Sequence, residues 1–292
     1  MPTTRSEYSM DLRRIQERVV ITALSANTSN NAQYQNLRLK RWAGVRDELW
    51  QLIAPYLEAD ARVLIVGAGN GDDLPLRRIA ARTRELVLAD IDRAAAERAQ
   101  QRLARRMRSR VTFQDEDMTA GGAQAIVTAL TGGAAAPATL ELPDGVIAGG
   151  GFDLVLGDML YTQLLQPALI KLQLTASDRT KYMRRYDPQL TTSLVQRLQR
   201  STSASGVAIH VHDLACWSAT HTQPMPLDEA LLNADTNWAR LMRHDACDPQ
   251  LTLERLAVRT IDRAWWRWPF EPNKQFLVRA CVAPGGLPGD RR

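Results

Sequence analysis

Val63-Leu64-Ile65-Val66-Gly67-Ala68-Gly69-Asn70-Gly71-Asp72-Asp73-Leu74 reads as a strand, a turn and the approach to a helix. The first four residues are apolar and three are β-branched, the pattern of a buried parallel strand. Three alternate glycines follow. Glycine meets the φ/ψ demands of a tight turn and lets a ligand lie against bare backbone. Asp72 and Asp73 come next, with Pro75 early in the following helical run, so either aspartate is a helix-cap candidate. The stretch points to a nucleotide-type cofactor at the carboxyl end of the first strand of an α/β sheet.

Downstream, the helical run extends to about Arg82, and Glu85–Ala89 reads as a second buried strand ending at Asp90-Ile91-Asp92. An alanine-rich helix over Arg93–Arg108 leads to a short strand, Val111–Phe113, which closes on Gln114-Asp115-Glu116-Asp117-Met118. This is β-α-β-α-β with right-handed crossovers. Residues 119–151, rich in Gly and Ala, read as a mobile insertion holding a short helix near 123–130. Phe152–Leu156 is a fourth strand, Gly206–Val211 a fifth, and helical patterns lie at about 160–172 and, after Pro188, at 190–200. Short helices are expected near 227–232 and 251–256. Two last strand-like runs, 260–268 and 274–282, flank Pro269–Asn273 and suggest an antiparallel hairpin.

Upstream, apolar spacing predicts an amphipathic helix over 9–26, a polar loop at Ser25–Asn31 and a second helix from about Ala32 to Leu57. Residues 1–58 are read as an N-terminal helical extension or lid, with Tyr34 and Arg38 facing the cleft. Residues 59–292 are read as one Rossmann-like domain containing the insertion at 119–151.

The totals fit that architecture. A chain of 292 residues with 45% hydrophobic and 24% charged residues is an ordinary globular composition. No apolar run approaches a membrane helix, and the start lacks the apolar stretch of a signal peptide, so a cytoplasmic location is expected. Cys216, Cys247 and Cys281 are far apart and make neither a metal-ligand spacing nor a disulfide framework, so no metal is expected. The 37 basic residues are nearly matched by 32 acidic ones and are dispersed, which argues against nucleic acid as a partner.

The carboxylates discriminate between cofactors. A dinucleotide turn has glycine where this chain has Asp72, and carboxylates at a helix opening oppose a pyrophosphate. They suit a ligand carrying a sulfonium and an ammonium, which S-adenosylmethionine does. Asp90, with Ile91 after it, is placed to accept both ribose hydroxyl hydrogens, and Asp117-Met118 offers an acceptor and an apolar face for adenine. On Gly67, Gly69, Gly71, Asp90, Asp117 and Met118, residues 60–282 resemble the class I S-adenosylmethionine-dependent methyltransferases. The resemblance implies a doubly wound, mostly parallel seven-stranded sheet whose last strand is antiparallel and inserted between strands five and six. It also implies cofactor contacts at Gly67, Ala68, Gly69, Asp72, Asp90, Ile91, Asp117, Met118 and Asp158. One departure is Ile65, where the family has an acidic residue that helps hold the cofactor's methionine part. Either a neighbour such as Asp72 or Asp158 compensates, or cofactor affinity is reduced.

Methyl transfer needs a positioned acceptor and, for a hydroxyl, a base. Asp158-Met159-Leu160-Tyr161 has the outline of the Asp/Asn-Pro-Pro-Tyr motif of amino-directed methyltransferases without its prolines, which makes Tyr161 an acceptor-site candidate. His212, at the end of strand five, is the candidate general base. Trp217 and His221 are candidates for lining the acceptor pocket, and Trp265-Trp266-Arg267-Trp268 reads as hairpin packing. The expected activity is methyl transfer to an oxygen or nitrogen of a small molecule or peptide. The alternatives are an RNA- or protein-modifying methyltransferase, a catalytically silent nucleotide-binding protein and an NAD-dependent oxidoreductase.

Overall fold

The computed structural model describes residues 22–32 and 35–290. Most of the helix expected over 9–26, and Tyr34, lie outside the described residues. Among the described residues three helices come first: α1 (Ala23–Ala32), α2 (Gln35–Arg41) and α3 (Ala43–Ile53). They lead into β1 (Ala61–Val66), α4 (Leu76–Arg82), β2 (Thr83–Asp90), α5 (Arg93–Gln101), the single turn α6 (Arg105–Arg108) and β3 (Val111–Asp115). Next come α7 (Gly122–Thr131), β4 (Phe152–Asp158), α8 (Gln166–Lys171), α9 (Ala176–Ser201) and β5 (Thr202–Ser218). The chain ends with α10 (Leu227–Leu232), α11 (Ala234–Asn237), α12 (Pro249–Arg255) and the hairpin β6 (Asp262–Glu271) and β7 (Lys274–Pro284).

The seven strands are ordered β3-β2-β1-β4-β5-β7-β6. Pairings among β1 to β5 are parallel, and β7 runs antiparallel to both β5 and β6. This is the class I methyltransferase fold, with a helical N-terminal extension. Alternation along the strands sends residues to two apolar layers. Val63, Ile65, Leu154, Leu156 and Ile209 pack in one layer with Val45, Leu49 and Ile53 of α3 and Ile79 of α4. Leu64, Val66 and Val155 pack in the other with Leu194, Val195 and Leu198 of α9 and Leu253 of α12. Among the described residues no helix is long and apolar enough to cross a membrane.

Several expectations change. The polar stretch Ser25–Asn31 is not a loop; it is most of α1. Its Ser, Thr and Asn residues are poor helix formers, and tertiary anchors offset that. Gln124 Oε1 accepts from Ala23 N–H at 3.1 Å, while Lys171 Nζ donates to Ser25 O at 2.7 Å and to Ser29 Oγ at 2.6 Å. The helix expected over 32–57 is interrupted at Trp42, where ψ is 17°. Neither Asp72 nor Asp73 caps α4, whose N-cap is Pro75 without a side-chain bond. Pro188 does not delay α9, which starts at Ala176 under a Thr175 cap and carries the proline inside its 26 residues. Buried Tyr186, Leu190, Leu194 and Leu198 hold that helix in place through a proline that removes one backbone donor. The Gly/Ala-rich segment is packed on α9: Tyr186 donates to Pro137 O at 2.5 Å and Ser193 to Pro143 O at 2.6 Å.

Candidate active site

Three backbone constraints build the floor of a cavity at the carboxyl ends of β1, β2 and β4. Gly67, Gly69 and Gly71 all have positive φ, at 81°, 45° and 62°. A Cβ on Gly67 would lie 2.9 Å from both the Asp158 carbonyl and Leu160 Cβ, so only glycine fits between β1 and β4. Met159 takes φ 52° without being glycine, a conformation that costs energy and is concentrated at functional sites.

The cavity above this floor contains about 1030 Å³ of space free of protein atoms, part of it continuous with solvent. Following the sheet order, its lining runs from Asp117 and Met118 after β3, through Asp90 and Ile91 after β2, over Gly67, Ala68 and Gly69. It continues to Asp158 and Met159 after β4. Asn27 and Asn31 of α1, Arg38 of α2, Trp42, and Trp268 and Phe270 of β6 close it from the other sides.

Asp90 Oδ2 accepts from Gly69 N–H at 2.7 Å and Oδ1 from Asp92 N–H at 2.8 Å, which ties β2 to the glycine turn. Burial pushes the Asp90 carboxyl up from its ordinary value, while those N–H groups pull it down. Asn70 Nδ2 donates to Asn31 O at 2.6 Å and Asn31 Nδ2 to Asp92 Oδ2 at 2.9 Å, so α1 is fastened over the turn. Asp117 is satisfied locally: Oδ1 accepts from Thr119 N–H and hydroxyl, each at 2.8 Å, and Oδ2 accepts from Gly121 N–H.

The charges are unbalanced. Among the described residues, six acidic side chains line the cavity against one basic side chain, Arg38. Asp72 is ion-paired to Arg102 at 2.6 Å and Glu116 to Arg197, which leaves Asp73, Asp90, Asp117 and Asp158. Burial, helped by neighbouring Asp72 and opposed by Arg38 and Arg46, pushes Asp73 up to about 6. Burial and facing Asp73 hold Asp158 well above the ordinary carboxylate range. Arg38 is 9% exposed, and its guanidinium lies 5.1 Å from the Trp42 ring and 5.9 Å from Phe270. Burial lowers its pKa against the pull of Asp72 and Asp73. Trp42 Nε1 donates to Pro269 O at 2.9 Å, and the Trp42 and Trp268 rings are 5.2 Å apart, so extension and hairpin form one aromatic wall.

The structure thus brings Gly67, Ala68, Gly69, Asp72, Asp90, Ile91, Asp117, Met118, Asp158 and Arg38 to one cavity. It separates four other candidates from it. His212 is completely buried, with Nδ1 3.6 Å from Asp213 Oδ1, and burial lowers its pKa to about 3, so the candidate base does not reach the cavity. Tyr161 is buried and bonded to His210 Nδ1 at 2.5 Å, turned into the layer under α9 rather than toward an acceptor. Trp217 donates to Met225 O at 2.9 Å and packs with Leu214 and Leu277 on the far side of β5. His221 is exposed in the turn after β5, bridged to Ser218. Ile65 is fully buried in the apolar layer beneath α3, and Asp73 is among the acids that line the cavity without an ion pair among the described residues. Asp73 was legible only as a helix-cap candidate and Trp268 as hairpin packing, while Trp42 fell inside the expected second helix and Phe270 in the connection between the last two strands; the Asp72-Asp73 doublet was the available signal. Among the described residues no group of three or more His, Cys, Asp or Glu side chains could hold a metal ion.

No protein-family model matches the chain, and no curated protein matches its sequence. Solved structures are similar at low identity. A Methanosarcina mazei S-adenosylmethionine-dependent methyltransferase shares 13% identity over 82% of this chain and 99% of its own, at a TM-score of 0.47. The N-methyltransferase NodS from Bradyrhizobium japonicum, solved with S-adenosylhomocysteine, shares 11% over 90% and 99%, at 0.46. A Haemonchus contortus phosphoethanolamine N-methyltransferase shares 13% over 65% of this chain and 32% of its own, at 0.41.

Proposed function

We propose that this protein is an S-adenosylmethionine-dependent methyltransferase acting on an oxygen or nitrogen of a small molecule or peptide. The observation that carries the reading is the set of carboxylates around the glycine turn, with Asp90 bonded to the turn itself and Asp73 and Asp158 without ion-pair partners among the described residues. A pyrophosphate would meet repulsion there, whereas a sulfonium and an ammonium relieve it.

In this reading Gly67, Ala68 and Gly69 leave room for the cofactor against backbone. Asp90 accepts from the ribose hydroxyls in exchange for part of its bond to Gly69. Ile91 and Met118 sandwich the adenine beside Asp117. Asp73 faces the ammonium of the methionine part, which supplies the acid that Ile65 lacks, and Arg38, beside Asp73, is the cation available to its carboxylate. When bound, the cofactor supplies a methyl group on a positively charged sulfur. The chain's own work is to orient the acceptor and to exclude water, and α1, Trp42 and the β6 hairpin form that enclosure. The same enclosure and negative charge weigh against an RNA acceptor.

Calorimetry with S-adenosylhomocysteine and with NAD separates the cofactor classes. S-adenosylhomocysteine should bind and NAD should not; tight NAD binding would sink the reading. Asp90→Ala should weaken S-adenosylhomocysteine by roughly 1–3 kcal/mol, the cost of losing hydrogen bonds to a charged acceptor. Unchanged affinity would mean that the ribose lies elsewhere.

A further inference from the structure

Beyond Gly67 along the sheet, toward the hairpin, the cavity changes character. Its floor there is Asp73, Asp158 and the strained Met159, and its wall is Trp42, Trp268 and Phe270. Resting on the methyl-donor reading above, we propose that this end takes a small organic amine. Its nitrogen receives the methyl group, with the amine held between the Asp158 carboxylate and the aromatic wall.

Three observations point to a cation rather than a hydroxyl or an anion. First, Asp158 lines the cavity without an ion-pair partner among the described residues, and it is the acid left over once Asp73 faces the cofactor's ammonium. A cation beside it offsets both its burial and the neighbouring charge of Asp73. Second, the aromatic cluster already holds cations: the Arg38 guanidinium rests over Trp42 and Phe270, and Lys274 Nζ lies 5.1 Å from the Phe270 ring centroid. Aromatic faces attract ammonium groups through their quadrupole. Third, the groups suited to activating a hydroxyl are elsewhere, since His210 and His212 are fully buried outside the cavity and Tyr161 is committed to His210. The proton acceptors that line the cavity are carboxylates.

The step balances with these groups. An ammonium passes one proton to a carboxylate oxygen of Asp158, leaving a neutral nitrogen with its lone pair. That lone pair forms the N–C bond as the C–S bond breaks, and the C–S electron pair returns to sulfur. The methylated nitrogen now carries the positive charge, and Asp158 returns its proton to solvent after product leaves. Burial and Asp73 make Asp158 a stronger base than an ordinary carboxylate, which suits this exchange.

The test compares isosteres on protein saturated with S-adenosylhomocysteine: phenethylamine, 2-phenylethanol and 3-phenylpropanoate, each followed by calorimetry. Phenethylamine should bind about tenfold tighter than the alcohol, with the carboxylate weakest, as expected for a buried charge pair over aromatic rings. The preference for amine over alcohol should fall to about threefold or less in Asp158→Asn, with folding checked by melting, and the amine should also weaken in Trp268→Leu. Incubation with S-adenosylmethionine should give N-methylphenethylamine by mass spectrometry. Equal or tighter binding of the alcohol or carboxylate, binding of none of the three, or an undiminished amine preference in Asp158→Asn would each overturn the proposal. Failure of S-adenosylhomocysteine to saturate, seen before any amine is added, would instead bring down the cofactor reading on which it rests.

Discussion

Asp73 is a cavity residue whose environment is at odds with its charge. Its folded carboxyl is pushed up to about 6 from an ordinary value of 3.8, chiefly by burial. A carboxylate raised in the folded state favours the fold while it is protonated. Its contribution is therefore complete below about pH 4 and is lost as pH rises toward 6, because the unfolded chain ionises first. Above that range the unliganded protein carries an ionised, poorly compensated group. Asp73→Asn should therefore stabilise the unliganded protein by roughly 1–2 kcal/mol near pH 7.5, after discounting for partial exposure, and by almost nothing near pH 4. The same variant should bind S-adenosylmethionine more weakly, a trade of function against stability. Urea unfolding at the two pH values measures it, and a variant no more stable than the parent at pH 7.5 would show that Asp73 is already compensated. None of this is visible in the sequence, where Asp73 is one of two adjacent acids. Asp72 is ion-paired to Arg102 while Asp73 makes no ion pair among the described residues, because the fold, not the spacing, decides which acid a guanidinium reaches.

At the scale of elements, legibility followed the strength of the local pattern. β1, β2 and β4 are runs of apolar residues ending in Gly or Asp, and they lie where the sequence placed them, as do the glycine turn, Asp90 and the β6–β7 hairpin. Elements set by tertiary contacts were not legible. The first is α1, whose Ala-Leu-Ser-Ala-Asn-Thr-Ser-Asn-Asn-Ala would not be helical alone. It is held by Lys171, Gln124 and the Asn31–Asp92 bond, all distant in sequence. The second is α9, where Pro188 looks like a boundary and burial of Tyr186 and Leu190 overrides it. An element held by few contacts opens readily, and α1 covers the cavity. Lys171→Ala should therefore raise amide exchange across residues 23–32 by about tenfold while leaving the central strands protected, the effect of losing one or two hydrogen bonds. S-adenosylhomocysteine should restore much of the protection. Exchange that is unchanged in the variant would mean that Lys171 does not hold α1 down.

Across the whole molecule, the aromatic wall depends on how β7 is seated between β5 and β6, and Arg279 is the anchor of that seat. It lies at the centre of β7, is 1% exposed, and pairs with fully buried Asp248, the cap of α12. Its guanidinium also lies 5.3 Å from the Trp238 ring and 5.5 Å from Trp265. One pair thus joins the hairpin to the segment after β5 and to α12. The joining is incomplete: Nε and Nη1 of Arg279 and Oδ2 of Asp248 find no other partner. Desolvating two charges costs several kcal/mol, and attraction in the interior returns it only while both charges remain. Asp248→Asn keeps an acceptor for Gln250 N–H but strands the guanidinium, so it should cost about 3–5 kcal/mol. Arg279→Met in the same chain removes the stranded charge while keeping an apolar side chain between the two indoles. The double variant should recover most of that loss, because an apolar replacement of a buried pair is often close to neutral. Urea midpoints for the parent, both single variants and the double variant give the coupling directly. A coupling near zero would mean that water reaches the pair and that packing of β7, not this charge pair, seats the hairpin. If the coupling is large, affinity for S-adenosylhomocysteine should fall in Asp248→Asn and return in the double variant, because Trp268 and Phe270 reach the cavity only when the hairpin is seated.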